Sequence, residues 1–289
     1  MLSKRRLKWA AIPAAASLLL LTGCSEKEKV EQGFLPGGPG VTNHTGPIIE
    51  LWNGSWIILL AVGAISWGLM AWALIVYRRR KGDNTTPPQL RYNMPIETLF
   101  TVVPFILVVG FFAFTAKTMT EIETPNSAEV KIQVVAKQWS WDFNYVQENV
   151  FDAGIQYQDG PNAQTEAELP TLYLPVNKQV EIKLTSRDVI HSFWVIDFLY
   201  KKDMFPGKTN TIYFTPTQEG TYKGKCAELC GEFHSMMLFN VKVVSQAEYQ
   251  THIAELAAQG FTGQLGTDYV RNQNLPGNKA QEDASQASN

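Results

Sequence analysis

Cysteine is scarce in this sequence. Only Cys24, Cys226 and Cys230 occur among 289 residues, which excludes a disulfide framework, since that needs several pairs at wide spacing. The tail holds no Cys-x-x-Cys-His, so a fused haem c unit is excluded as well. Charge of one sign is also lacking: 25 basic against 27 acidic side chains leave a net −2, and no basic stripe marks a nucleic-acid partner. No internal repeat is present. The balance is uneven, however. Between Glu121 and Ala258, 18 acidic face 11 basic side chains, a net −7. Such a surface either steers a basic partner toward it or keeps an exported domain soluble.

Residues 1–23 read as an export signal. Lys4, Arg5, Arg6 and Lys8 precede an apolar core from Ala10 to Leu20 that is too short to span a bilayer. Leu21-Thr22-Gly23-Cys24 resembles the lipobox of bacterial lipoproteins, in which Cys24 becomes the acylated N-terminus. The rival reading is an ordinary signal with an incidental cysteine. Residues 24–47 are polar and rich in Gly and Pro, which predicts a flexible linker with His44 solvated in it.

Two apolar runs follow. Trp52 to Tyr77 has no charge and carries Trp52, Trp56, Trp72 and Tyr77 toward its ends, as a helix crossing about 30 Å of hydrocarbon would. Arg78-Arg79-Arg80-Lys81 comes next and predicts a cytoplasmic loop. The second span runs from Met94 to about Lys117, with Pro104 expected to kink it. The helical hairpin thus occupies 48–119 and returns the chain to the outside. Glu97, at the start of the second span, is either a helix end-cap or a proton-uptake group.

The part from 120 to 259 reads as all-β. Apolar alternation is visible in 129–135, 171–175, 180–184, 211–214 and 238–244, with turns at Pro206-Gly207 and Glu219-Gly220. Short strands at this spacing predict a Greek-key sandwich or barrel. Residues 147–170 are polar and predict an insertion loop, and 245–259 predict a short amphipathic helix with His252 exposed on it. The tail, 260–289, is polar and expected to be mobile.

One stretch concentrates the soft ligands: Cys226-Ala-Glu-Leu-Cys230-Gly-Glu-Phe-His234-Ser-Met-Met237, with His191 upstream in Asp188-Val-Ile-His191. Thiolate, thioether and imidazole together favour copper. Zinc would accept two Cys and two His but has little use for Met237. A mononuclear blue-copper site needs one cysteine, so one here would be surplus. Two thiolates bridging two coppers, one histidine to each, use every donor. A short Cys226–Cys230 disulfide stays open for an exported chain. Trp139, Trp141, Phe143 and Tyr145 alternate, which places them on one strand face, as core packing or as a conduit.

With these residues the chain resembles subunit II of the bacterial haem–copper oxidases, the cytochrome c oxidases with a dinuclear CuA centre, over roughly 48–258. The resemblance implies a two-helix membrane hairpin plus a cupredoxin-like Greek-key domain. It implies His191, Cys226, Cys230, His234 and Met237 as side-chain ligands and Glu228 as a carbonyl ligand. The Glu228 carboxylate is expected to reach a magnesium ion shared with subunit I. Glu97 corresponds to a proton-pathway carboxylate, and Trp139, with Trp141, to the patch receiving electrons from cytochrome c. The expected activity is transfer of those electrons to haem in subunit I, where oxygen is reduced to water with proton translocation.

Two departures matter. Lys208 stands after the Pro-Gly turn where the family has arginine, which weakens a forked contact. The 147–170 insertion and the lipid anchor fit a membrane-held cytochrome donor in a respiratory supercomplex, and actinobacterial members look similar. A CuA subunit of a nitric-oxide reductase and a copper-delivery lipoprotein remain the alternatives at this point. A quinol oxidase subunit would lack the ligands.

Overall fold

Short strands with one apolar face need a second layer to cover them. The computed structural model describes residues 33–82, 85–125, 127–156 and 168–266, and in it the strands build two five-stranded sheets. The strands are β1 (Val130–Lys137), β2 (Ser140–Tyr145), β3 (Val150–Ala153), β4 (Thr171–Pro175), β5 (Val180–Ser186), β6 (His191–Val195), β7 (Tyr200–Met204), β8 (Asn210–Phe214), β9 (Gly220–Cys226) and β10 (Leu238–Val244). One sheet has the order β3-β2-β1-β5-β8, the other β4-β10-β9-β6-β7. The pairs β1/β5 and β4/β10 are parallel, and the other neighbours are antiparallel. Ile132, Val134, Ile182 and Leu184 from one sheet meet Leu172, Leu174, Phe239 and Val241 from the other in a single core. Each such side chain contributes about 2 kcal/mol of burial energy.

Two helices precede the sandwich: α1 (Thr45–Val76) and α2 (Met94–Glu123). Their lengths of 32 and 30 residues and their apolar composition suffice to cross a membrane. Both run longer than the sequence suggests. Pro104 lies inside an unbroken α2, whose start is closed by a reciprocal cap between Asn93 and Glu97. Asn93 Oδ1 accepts from the Ile96 amide, and Glu97 Oε1 accepts from the Asn93 amide at 2.9 Å. Glu97 therefore does cap the helix. A third helix, α3 (Gln246–Ala258), is capped by Ser245 and buries Tyr249, Ile253 and Leu256 at helical spacing.

Several expectations are corrected. The end of the linker is docked: Val41 and Thr42 are buried, Thr217 N–H donates to Val41 O, and Asn43 N–H donates to Thr215 O. His44 is buried rather than solvated, with Nε2 2.9 Å from the Tyr213 carbonyl oxygen. Its Nε2–H finds an acceptor on β8, a partner remote in sequence. His252 is half-buried and stacks on Tyr173 at 3.7 Å. The insertion contributes β3 as an edge strand, because Val150 and Phe151 are apolar enough to be buried. The first tail residues are held as well: Thr262 bridges Val150, and Leu265 is buried. The signal, Cys24, residues 157–167 of the insertion and the tail beyond Gly266 lie outside the described residues.

Candidate metal centre

The soft donors converge at one end of the second sheet. His191 opens β6, Cys226 closes β9, and β6 and β9 are neighbours with Phe193 opposite Cys226. Cys230, His234 and Met237 lie on the loop from β9 to β10. That loop closes on itself through Cys226 N–H to Met237 O at 3.0 Å and is tied to β6 through Ala227 N–H to Ser192 O at 3.1 Å. A 3-10 turn over His234–Met236 brings the second imidazole round. His191, Cys226 and Cys230 offer donor atoms within 4.8 Å of one another, and all three residues are buried. Each sulfur has its own partners. Cys226 Sγ lies 3.7 Å from His191 Nδ1 and 3.2 Å from the Glu228 carbonyl oxygen. Cys230 Sγ lies 3.5 Å from His234 Nδ1 and 3.7 Å from Met237 Sδ. Both cysteines are free thiols rather than a disulfide.

Outer contacts orient these groups. Asp188 Oδ1 is 2.8 Å from His191 Nε2, while Asp188 Oδ2 accepts from the Gln138 amide at 2.6 Å and Oδ1 from the Val189 amide at 2.7 Å. The proton belongs on Nε2, which leaves Nδ1 free toward the sulfurs. Burial opposes charge on His191, but its bonds to Asp188 and Cys226 outweigh that and raise its pKa. Burial likewise works against the Asp188 carboxylate, and the His191 and amide donors still bring its pKa below the ordinary range. Within the thiol pair, the Cys230 donor pulls Cys226 down to about 3, against burial. The same bond, aided by burial, pushes Cys230 up. The opposite shifts set one thiolate beside one thiol, a soft negative site of the kind a soft cation would occupy.

The aromatic residues do not share one face. Trp139 sits in the turn between β1 and β2, half-buried, with Nε1 donating to the Cys230 carbonyl at 3.2 Å and its ring edge-on to Phe233 at 5.0 Å. Gln138 Nε2 donates to the same carbonyl at 2.7 Å. Trp141, Phe143 and Tyr145 are core residues of β2. Trp141 Nε1 donates to Met237 O at 3.4 Å, and its ring centroid is 6.4 Å from that of His191. Gly231 has φ +122, and a Cβ there would stand 3.0 Å from Trp139 Cζ2. The sequence assigns that glycine only to a bend, and the close approach of the indole is an additional reason for it. The supporting roles of Asp188 and Gln138 come from tertiary contacts; in the sequence only the placement of Asp188 three residues before His191 hints at them. Glu228 is exposed at the mouth of the site, and Glu97 is far along the chain at the other end of α2.

Two membrane-length helices followed by a β-sandwich with a buried His/Cys/Cys group define a class: membrane-anchored metalloproteins of the electron-transfer type. Residues 130–244 match the family model for the periplasmic domain of cytochrome c oxidase subunit II. A "Probable cytochrome c oxidase subunit 2" of Streptomyces avermitilis is 45% identical over 90% of this chain and 89% of its own length. The "Cytochrome c oxidase subunit 2" of Mycobacterium tuberculosis is 31% identical over 94% of this chain and 87% of its own. A crystal structure of the periplasmic domain of the Bradyrhizobium japonicum subunit II superposes with a TM-score of 0.42 and 27% identity, covering 47% of this chain and 99% of that one. The chain belongs to the cytochrome c oxidase subunit II family, and with it come the cupredoxin-like fold and the copper (CuA) electron-transfer role. The donor set of two thiols, two imidazoles and a thioether fits copper chemically.

Proposed function

We propose that His191, Cys226, Cys230, His234 and Met237, with the Glu228 carbonyl, hold two copper ions, and that this centre takes electrons from cytochrome c and passes them to haem in subunit I for oxygen reduction. The observation that carries the assignment is the even division of donors: each sulfur has one imidazole and one weaker donor within 3.7 Å. Cys226 and Cys230 would hold the copper, which would supply a one-electron carrier at this site. Asp188 keeps the His191 proton on the outer nitrogen, so the inner one stays available as a ligand. Both thiols would have to lose their protons to bind metal, so copper affinity would fall as pH falls.

Trp139 is the point of electron uptake. Its indole is partly exposed, and one hydrogen bond joins it to the Cys230 carbonyl. Trp141 packs behind the ligands and supports them. The exposed Glu228 carboxylate reaches a magnesium ion at the boundary with subunit I, and Glu97 marks the mouth of a proton pathway at the inner end of α2. Cys24 carries a lipid, so α1, α2 and the acyl chain anchor the subunit with its copper domain on the outer face. A membrane-held cytochrome within a supercomplex is the donor these anchors suit.

Metal analysis tests the centre directly: two coppers per chain are expected, and one would overturn it. Cys230→Ser should abolish the dinuclear optical and spin-resonance signature, and an unchanged signature would reject the bridge. Oxygen uptake with reduced cytochrome c by the assembled complex should then depend on Cys230.

A further inference from the structure

Three charged side chains are almost wholly buried beside the metal centre. Lys137 Nζ lies 2.7 Å from Asp142 Oδ1, and Arg187 Nη2 lies 3.1 Å from Asp142 Oδ2, with side-chain exposures of 4%, 0% and 3% for Lys137, Asp142 and Arg187. Buried charges are retained only when paired. Their places in the chain are informative. Lys137 immediately precedes Gln138 and Trp139, Asp142 immediately follows Trp141, and Arg187 immediately precedes Asp188. Each member of the triad therefore abuts a residue that contacts a metal ligand or its carbonyl.

Arg187 has a second partner. Its Nε and Nη2 both donate to the Gly266 carbonyl, at 3.1 and 2.8 Å. Gly266 lies on a strap that leaves α3 and runs along the β3 edge of the first sheet. Phe151 N–H donates to Phe261 O, Gly263 N–H donates to Asn149 O, and the Leu265 backbone pairs both ways with the Asn144 side chain at 2.8 and 2.9 Å. The Arg187 amide itself donates to Ala136 O. The guanidinium thus joins the strap, β2 and the loop carrying Asp188.

We propose that Arg187 is a positioning residue for electron uptake, and that the strap 261–266 is part of the same device. Resting on the copper reading above, the device works by holding the Asp188 loop against the Gln138–Trp139 turn. Without the fork, the Asp188 carboxylate loses its fixed place between the Gln138 amide and His191, and the Trp139 ring loses its register over Cys230. A lysine cannot replace the arginine, because one ammonium cannot present two parallel donors to Gly266 while pairing with Asp142.

The test uses the assembled oxidase with Arg187→Gln, Arg187→Lys, chain ends placed after Gly260 or after Gly266, and the Arg187→Gln change combined with the shorter chain. Copper per chain, hydrogen exchange at the Gln138 amide and the rate of copper reduction by cytochrome c are measured. Arg187→Gln, Arg187→Lys and the end after Gly260 should each keep two coppers, speed Gln138 exchange several-fold and slow reduction several-fold. The end after Gly266 should match the intact chain, and the combined variant should be no worse than either change alone. If the variants lose only thermal stability while exchange and reduction rate stay at their original values, Arg187 is mere scaffolding and the proposal fails. A chain holding one metal would sink the dinuclear reading instead, and Gln138 exchange would still decide the role of the strap.

Discussion

Gly231→Ala is the sharpest perturbation of the ligand loop, because it separates backbone strain from indole packing. Gly231 adopts φ +122, a region L-residues rarely enter, and an added Cβ would lie 3.0 Å from Trp139 Cζ2 and 3.2 Å from Gln138 Nε2. The backbone term alone is worth about 1–3 kcal/mol. The contact term is smaller, on the order of 1 kcal/mol, if the indole can tilt by a few tenths of an ångström. Tilting has a functional cost, since the Trp139 N–H bond to Cys230 O is already at 3.2 Å. Gly231→Ala should therefore lower the melting temperature by several degrees, retain copper and slow reduction by cytochrome c. A double-mutant cycle with Trp139→Ala isolates the contact: without the indole, Gly231→Ala should cost about 1 kcal/mol less. Zero coupling in thermal unfolding, together with an unchanged reduction rate in the single variant, would refute the claim that this glycine exists for the tryptophan.

Trp139→Ala should spare copper content and slow electron uptake by at least an order of magnitude; a reduction rate equal to that of the unaltered chain would remove Trp139 from the path. Glu97→Gln should keep the helix cap, because an amide oxygen still accepts from Asn93, yet slow proton-coupled turnover, whereas Glu97→Ala should also loosen the start of α2 by about 1 kcal/mol; full turnover in the glutamine variant would leave Glu97 a cap only. His252 gives a pH prediction. Burial, helped by Lys242, lowers its pKa from 6.5 to about 4. The unfolded chain then binds the extra proton between those values, so the stability contributed is complete above pH 6.5 and is lost as pH falls toward 4. Allowing for partial exposure, the loss is on the order of 1–2 kcal/mol. His252→Phe, which keeps the stack on Tyr173, should flatten thermal unfolding across that window, and an unaltered pH slope would reject the assignment.

The parts of this molecule legible in the sequence are those whose cause is local. The two spans depend on unbroken apolar runs, and β4, β5, β8 and β10 on alternation within five to seven residues. The ligand loop is legible for the same reason, since Cys226, Cys230, His234 and Met237 lie within twelve residues and their chemistry is soft throughout. The illegible parts are held by distant partners. His44 is satisfied by Tyr213, 169 residues away, and Leu265 by Asn144, 121 residues away. Their own neighbours are polar and Gly-rich, so local pattern points to solvent. Trp139 fails differently: period-two alternation carries on through it, but the hairpin turn falls at 138–139 and takes the ring off the strand.

Long-range ties of this kind also fix the β-sandwich against the two membrane-length helices. Electron tunnelling tolerates little variation in distance, so a domain on loose tethers would serve poorly. Both tethers here are tied. On the side of α1, Asn43, His44 and Val41 are bonded to Thr215, Tyr213 and Thr217, and the helix begins at Thr45 with no free linker between. On the side of α2, Glu123 at the last turn accepts from Tyr200 OH at 2.7 Å and from Lys202 Nζ at 2.6 Å on β7. β7 pairs with β6 in the register His191–Met204, so the second tether grips the strand beside a ligand. The first grips β8 and the turn after it, in the opposite sheet. Two clamps on two sheets resist rotation as well as translation, which a single flexible joint could not do.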